Sequence, residues 1–173
     1  SAAEPRLILM SYHGNPDARS KSIGLIGKGL TYDSGGYCLK TPQGMVNMKS
    51  DMAGAAAVLG TFVAISTLKL KVNVVGVIAA CENLVSGHAY HTGDVIRSMA
   101  GKTIEVNNTD AEGRLTLVDA IHYAISKERV SKVIDIATLT GAAVGALGNQ
   151  ISMVMSNSDT LLNKAKHASD FTG

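Results

Sequence analysis

The chain has no tryptophan, and only five tyrosines and two phenylalanines in 173 residues. A core built on large rings is therefore excluded, and Ala, Val, Ile, Leu and Met must fill the interior. Two cysteines, Cys38 and Cys81, are too few for the disulfide framework of a small secreted domain, so a reduced, cytoplasmic protein is expected. Charge is sparse: 16 basic against 14 acidic residues give a net +2, with the basic residues scattered. That leaves no electrostatic footprint for nucleic acid or an anionic membrane, and neither is expected as a partner. No uninterrupted apolar run reaches the ~18 residues that span a bilayer. The opening SAAEPRLILMSYHG lacks the charged-then-apolar layout of an export signal, and Ser1, with no initiator Met, reads as a cut or processing point. What is abundant is glycine, 18 residues, and apolar character, 46%; together with the length they predict one domain with close backbone approaches and a well-packed interior.

Residues 6–12 (RLILMSY) and 22–28 (SIGLIGK) read as buried strands joined by the connector HGNPDARSK. The Gly-rich loop TYDSGG follows, then a short strand over Tyr37–Lys40 and a turn at TPQG. Residues 50–69 are apolar almost all round and predict a helix packed on most of its surface. A β-branched strand over 73–82 precedes two short strands about Ala100 and Gly101. A helix over 112–127 is expected to bury Leu115, Val118, Ile121 and Ile125. KVIDIATL reads as a further buried strand, TGAAVGALG as a short helix, ISMVMSN as a strand and 159–170 as a last helix. Alternation of strands and helices implies an α/β fold, three layers αβα, with a mixed, mainly parallel sheet.

Polar residues gather where the apolar strands end, the place where α/β sheets hold their ligands. Lys28 closes a strand and Asp33 lies just beyond it; Lys49 and Asp51 open an apolar helix; Asp110, Glu112 and Arg114 crowd a strand-to-helix junction. Each has an ordinary structural role. Asp33 suits a turn, Asp51 suits a helix's first turn, and TDAE at 109–112 fits a capping box in which Thr109 and Glu112 satisfy backbone N–H groups. Taken together they bring four carboxylates toward one side of the sheet. Each close pair would repel by roughly 4 kcal/mol at an effective dielectric near 20, so cations must balance them. Oxygen donors suit Mg²⁺, Mn²⁺ or Zn²⁺. HExxH and Cys/His zinc spacings are absent, and His13, His88, His91, His122 and His167 show no ligand spacing.

GKGLTYDSGG, MKSDMAGAA and NTDAEGRL together resemble the signature of the leucyl aminopeptidase (cytosol aminopeptidase) family, in consistent order from about Ser22 to Gly148. The resemblance implies a hexameric, cytoplasmic, two-metal exopeptidase that removes a leucine-like N-terminal residue from peptides with a free N-terminus. By motif position it makes Lys28, Asp33, Asp51, Asp110 and Glu112 the metal ligands. It makes Lys40 and Arg114 catalytic, and it lines the substrate pocket with Met48, Thr138, Leu139 and Gly141. It further implies two divalent ions (Zn²⁺ or Mn²⁺, with Mg²⁺ a third choice), a metal-bridged water as nucleophile, and bicarbonate at Arg114 as general base.

His91 and Thr92 stand before Gly93 and Asp94 where the family commonly has Arg-Pro, outside the implied metal set. The resemblance also implies that residues 1–173 are the central part of a catalytic domain, incomplete at both ends and without the family's N-terminal domain. A fragment that binds metal or serves a structural role without turnover is the alternative. Nucleotide binding through GLIGKG is a third reading, but its glycine order matches neither the dinucleotide fingerprint nor a P-loop.

Overall fold

The computed structural model describes residues 3–173, with the backbone alone at Ala18, Arg19 and Ser20; Ser1, with the processing point expected there, lies outside the described residues. The chain divides into two units, Ser1–Leu139 and Thr140–Gly173. Along the first unit run β1 (Arg6–His13), β2 (Ile23–Asp33), a single helical turn α1 (Pro42–Met45) and helix α2 (Ala53–Thr67). After them come β3 (Asn73–Asn83), the hairpin β4 (Val95–Arg97) and β5 (Thr103–Glu105), helix α3 (Glu112–Ser126) and β6 (Lys132–Ile136). Short 3-10 turns at Pro16–Lys21, Met48–Ser50 and Thr109–Ala111 connect them.

The main sheet has the order β1-β3-β2-β6, with β2 parallel to β3 and β6 and β1 antiparallel to β3. The mixed, mainly parallel sheet is thus as expected. Alternation along the two central strands builds the three layers. Ile26, Val75 and Val77 point to one face and pack with Leu117, Ala120 and Ala124 of α3. Leu25, Ile78 and Ala80 point to the other and pack with Ala55, Val58 and Phe62 of α2. Burying each large aliphatic side chain contributes about 1.5–3 kcal/mol. On the α2 side the helix approaches so closely that a Cβ on Gly27 would lie 2.6 Å from Ala55 Cα, and one on Gly54 only 1.9 Å from Ile136 O.

Several expectations are corrected. β1 and β6 are edge strands, not buried ones: Leu7, Ile8 and Leu9 are exposed, as are Ile134 and Ile136. α2 buries one face through Gly54, Ala55, Val58 and Ile65 and exposes Leu59, Val63 and Leu68. α3 buries Gly113, Leu117, Ala120 and Ala124, while Val118 and Ile125 are 36% and 53% exposed. Small residues decide that face, because they let the helix lie against the sheet and leave the larger aliphatics at its margin. Tyr37–Lys40 forms no strand. Gly35 and Gly36, at φ +88° and +63°, turn the chain back so that Lys40 N donates to Ser34 O (3.0 Å). TPQG is α1, capped by Thr41 Oγ1 accepting from Gly44 N. Pro42–Thr67, read as one stretch, is long and apolar enough by length and composition to cross a bilayer; here α1, a 3-10 turn and α2 divide it, and α2 lies on the sheet.

The second unit holds α4 (Gly141–Leu147) and α5 (Asp159–Thr172), started by Thr140 and Ser158, whose side chains accept from Ala142 N and Leu161 N. ISMVMSN between them is not a strand, since no ladder partner stands beside it among the described residues, and Ile151, Val154 and Met155 are exposed.

Candidate functional site

The parallel strands β2, β3 and β6 all end at one edge of the sheet, and the charged residues collect there. β2 runs on past the expected end at Lys28, so Lys28 lies in mid-strand and Asp33 is the strand's last residue, not a loop residue beyond it. Asp51 directly follows the 3-10 turn that leads into α2, Asp110 lies in the 3-10 turn that leads into α3, and Glu112 is the first residue of α3. Lys40 ends the loop after β2, and Thr138 follows β6.

Two lysines organise the four carboxylates. Lys28 Nζ lies 2.8 Å from both Asp51 Oδ2 and Glu112 Oε1 and donates to Thr138 O at 3.1 Å. Its side chain is 3% exposed, and it lies against Gly113, where a Cβ would meet Lys28 Cε at 2.7 Å. Lys40 Nζ lies 3.0 Å from Asp33 Oδ2 and 2.5 Å from Asp110 Oδ1. Thr138 Oγ1 donates to Asp51 Oδ1 at 2.7 Å, which ties the end of β6 to the same centre.

The charges are not balanced. Two ammonium groups face four carboxylates, leaving two negative charges in excess. Oxygens of Asp33, Asp110 and Glu112 gather within 4.8 Å of one another. Glu112 Oε2 is buried with no hydrogen-bond partner, while Asp51 Oδ2 and Asp110 Oδ1 have only their lysine charges and no aligned hydrogen bond. A buried, unpartnered carboxylate oxygen is costly unless a cation meets it. The oxygen-rich donor set fits a hard or borderline divalent ion, so the residues present suit a metal centre.

Burial lowers the proton affinity of Lys28, but the hydrogen bonds and charges of Asp51 and Glu112 outweigh it and hold the ammonium above its ordinary range. Lys40 is raised in the same way, burial opposing and Asp110 and Asp33 prevailing. Glu112 is also raised, first by burial, against which Lys28 works; Asp33 nearby adds to the rise. The two partners of one ion pair thus respond unequally for a plain reason. Lys28 is shared by two carboxylates, whereas Glu112 has one ammonium and a carboxylate neighbour.

The ordinary structural roles are borne out in part. Asp33 does make its local turn, Oδ1 accepting from Gly35 N at 2.9 Å. The expected capping box does not form. Asn108 Oδ1 accepts from Asp110 N (2.8 Å) as the cap, while Thr109 Oγ1 donates to Gly35 O (2.7 Å) and accepts from Cys38 N (2.8 Å). Glu112 is turned to Lys28 instead. Arg114 is exposed on α3 and makes no ion pair or side-chain hydrogen bond among the described residues. Met48 is half-buried in its 3-10 turn, and Leu139 is exposed with Cδ1 beside Gly113. Gly141 belongs to the second unit, at the start of α4. The cysteines are free. Cys38, bonded by Thr109 and Thr92, has a thiol pKa lowered to about 7, and burial raises that of Cys81. His91 stacks on Tyr37 at 4.6 Å between ring centroids and lies beside Asp94, Nδ1 to Oδ2 3.6 Å.

Sequence reasoning did not single out Asn83 and Tyr90, and it read Thr109 only as a cap; all three frame the carboxylates. Asn83 Nδ2 donates to Asp33 Oδ1 (2.8 Å) and Thr109 O (2.9 Å), and Tyr90 OH donates to the same carbonyl (2.9 Å). Asn83 ends the β-branched run of β3, so the strand-end rule that picked out Lys28 would have found it too.

The model of the cytosol aminopeptidase family, catalytic domain, matches residues 1–173. A probable cytosol aminopeptidase of Clostridium perfringens is 59% identical over 169 residues, which are 98% of this chain and 34% of that protein. The cytosol aminopeptidase of Vibrio cholerae is 51% identical over 170 residues, again 98% and 34%. The solved structure of Caenorhabditis elegans leucine aminopeptidase superposes with a TM-score of 0.90 at 39% identity, covering 96% of this chain and 34% of that one. The chain therefore spans about a third of the length of the proteins it matches.

Proposed function

Because this chain belongs to the cytosol aminopeptidase family, we propose that it carries the metal centre of a cytoplasmic two-metal aminopeptidase acting on peptides with a free N-terminus and a leucine-like first residue. One observation carries the proposal. Four carboxylates and only two lysines meet at the sheet edge, with three carboxylate oxygens within 4.8 Å and Glu112 Oε2 unpartnered. Lys28, Asp33, Asp51, Asp110 and Glu112 are the proposed ligands, for Zn²⁺ or Mn²⁺, with Mg²⁺ a third choice. When bound, such ions acidify water to a nucleophile at neutral pH and polarise the scissile carbonyl.

The chain's own residues define the rest. A lysine ligates only as the neutral amine, yet the surrounding carboxylates hold Lys28 as ammonium, so Lys28 gives up its proton only when stronger positive charge takes over those carboxylates. Lys40 remains an ammonium, partly exposed, and would hold the oxygen of the substrate carbonyl as negative charge develops there. Arg114, exposed and without a partner, offers its guanidinium to a small anion such as bicarbonate, which would receive the proton from the attacking water. Met48, Thr138 and Leu139 are the proposed substrate contacts of the first unit, and a homohexamer the proposed assembly.

The test is the hydrolysis of leucine amide with Mn²⁺ or Zn²⁺ by the wild type and Glu112→Ala. Loss of bound metal and of turnover in the variant is expected. A Glu112→Ala protein that retains both refutes the scheme, and metal uptake without turnover by the wild type favours a binding role for this chain.

A further inference from the structure

The two oxygens of Asp33 have different surroundings. Oδ1 accepts from Gly35 N at 2.9 Å and from Asn83 Nδ2 at 2.8 Å, whereas Oδ2 faces Lys40. The second hydrogen of the same Asn83 amide goes to Thr109 O at 2.9 Å, the residue directly before Asp110. Both neighbours of that amide are acceptors, a carboxylate and a carbonyl, so it must present its nitrogen to them. Asn83 cannot swing away. It is 5% exposed, at the end of β3, and its own carbonyl accepts from Ser34 N (2.9 Å) and Ser34 Oγ (2.8 Å). Thr109, 0% exposed, closes the ring by donating to Gly35 O. A single neutral side chain thus joins the loop carrying Asp33 to the turn carrying Asp110, two of the three carboxylates that converge.

We propose that Asn83 is a positioning residue for the metal centre. By occupying Asp33 Oδ1 it leaves Oδ2 as the ligating oxygen, and by holding the Thr109 carbonyl it keeps Asp110 beside it. Being neutral, it orients the carboxylate without cancelling the charge that attracts a dication. Groups that hold metal ligands in place in this way typically contribute 10–100-fold to metal affinity or activity. The inference rests on the two-metal reading and adds to it a residue that would touch neither ion nor substrate.

Titration calorimetry with Mn²⁺ on the full chain, paired with thermal melts in chelator, tests it. Asn83→Asp keeps the shape but replaces the donor with an acceptor beside Asp33 and Thr109; Asn83→Ala removes the donor without adding charge and decides the matter if the first variant does not fold. Both are expected to bind Mn²⁺ 10–100-fold more weakly. Leucine amide turnover should return toward the wild-type kcat as Mn²⁺ is raised. Tyr90→Phe, which removes the other hydrogen bond to Thr109 O but leaves Asp33 Oδ1 held by Asn83, is expected to lose less Mn²⁺ affinity than either Asn83 variant. A folded Asn83 variant within about twofold of wild-type affinity overturns the proposal, as does an equal loss in Tyr90→Phe. Wild-type protein that takes up no Mn²⁺ overturns the two-metal reading along with it.

Discussion

The same substitution at two positions of α2 should have opposite effects. Gly54 presses on the end of β6, where an added Cβ would stand 1.9 Å from Ile136 O, 2.7 Å from Ile136 C and 3.1 Å from Lys28 N. Those are backbone atoms of two strands, so nothing nearby can rotate out of the way, and the helix would have to retreat by about 1 Å to reach a tolerable contact. The retreat unpacks Ala55 and Val58 from Ile78 and moves Asp51 away from Lys28 and Thr138. Overpacking of this kind costs about 3 kcal/mol. For a chain of this size that lowers Tm by roughly 6–12 °C. Gly60, further along the same helix, has nothing within 4 Å of its added Cβ. Gly60→Ala should therefore gain only the helix preference of alanine, about 0.5–1 kcal/mol, and raise Tm by roughly 1–4 °C. Thermal melts followed by circular dichroism read both. A Gly54→Ala protein melting within about 2 °C of wild type, or below no more than Gly60→Ala, refutes the close approach of α2 to the sheet.

Lys28→Arg keeps a positive charge beside Asp51 and Glu112 but removes the amine that can lose its proton, so it should bind fewer metal ions per chain than wild type, counted by elemental analysis. Both Lys28 and Lys40 are raised above 10.5, so the stability they add is fully present below that pH and lost as pH rises through their higher folded values; urea melts from pH 8 to 12 should be level to about 10 and then fall. Cys38, lowered to about 7, should react with iodoacetamide at pH 7.5 before Cys81, which burial raises; mass spectrometry that finds Cys81 alkylated first contradicts that assignment.

The architecture was legible because it follows from periodicity. β-Branched runs paired as parallel strands, and the Ala-rich and amphipathic stretches covered the two faces. Which strands lie at an edge was not, because burial on two faces depends on neighbours the local sequence does not name; β1, β6 and the run 151–157 show this. The buried face of α3 was misread for a related reason. Aliphatic size suggested Val118 and Ile125, whereas close approach favoured Gly113, Ala120 and Ala124. In the site, Asp33, Asp51, Asp110 and Glu112 were legible as charges near strand ends and helix starts; Lys28 was read as a strand end although β2 continues to Asp33, and the structure brings all five together with Lys40. Thr109 was read as a cap because its local spacing allowed one. Its actual partners, Gly35 and Cys38, lie more than seventy residues away, beyond the reach of any local pattern.

The central claim is that this sheet edge is a metal centre with hydrolytic competence. Elemental analysis of the purified chain after equilibration with Mn²⁺ or Zn²⁺, with leucine amide hydrolysis followed on the same sample, tests it most directly. The account predicts two ions per chain and turnover that chelator abolishes and metal restores. A chain that retains no divalent ion, or that hydrolyses the amide equally well in chelator, contradicts it.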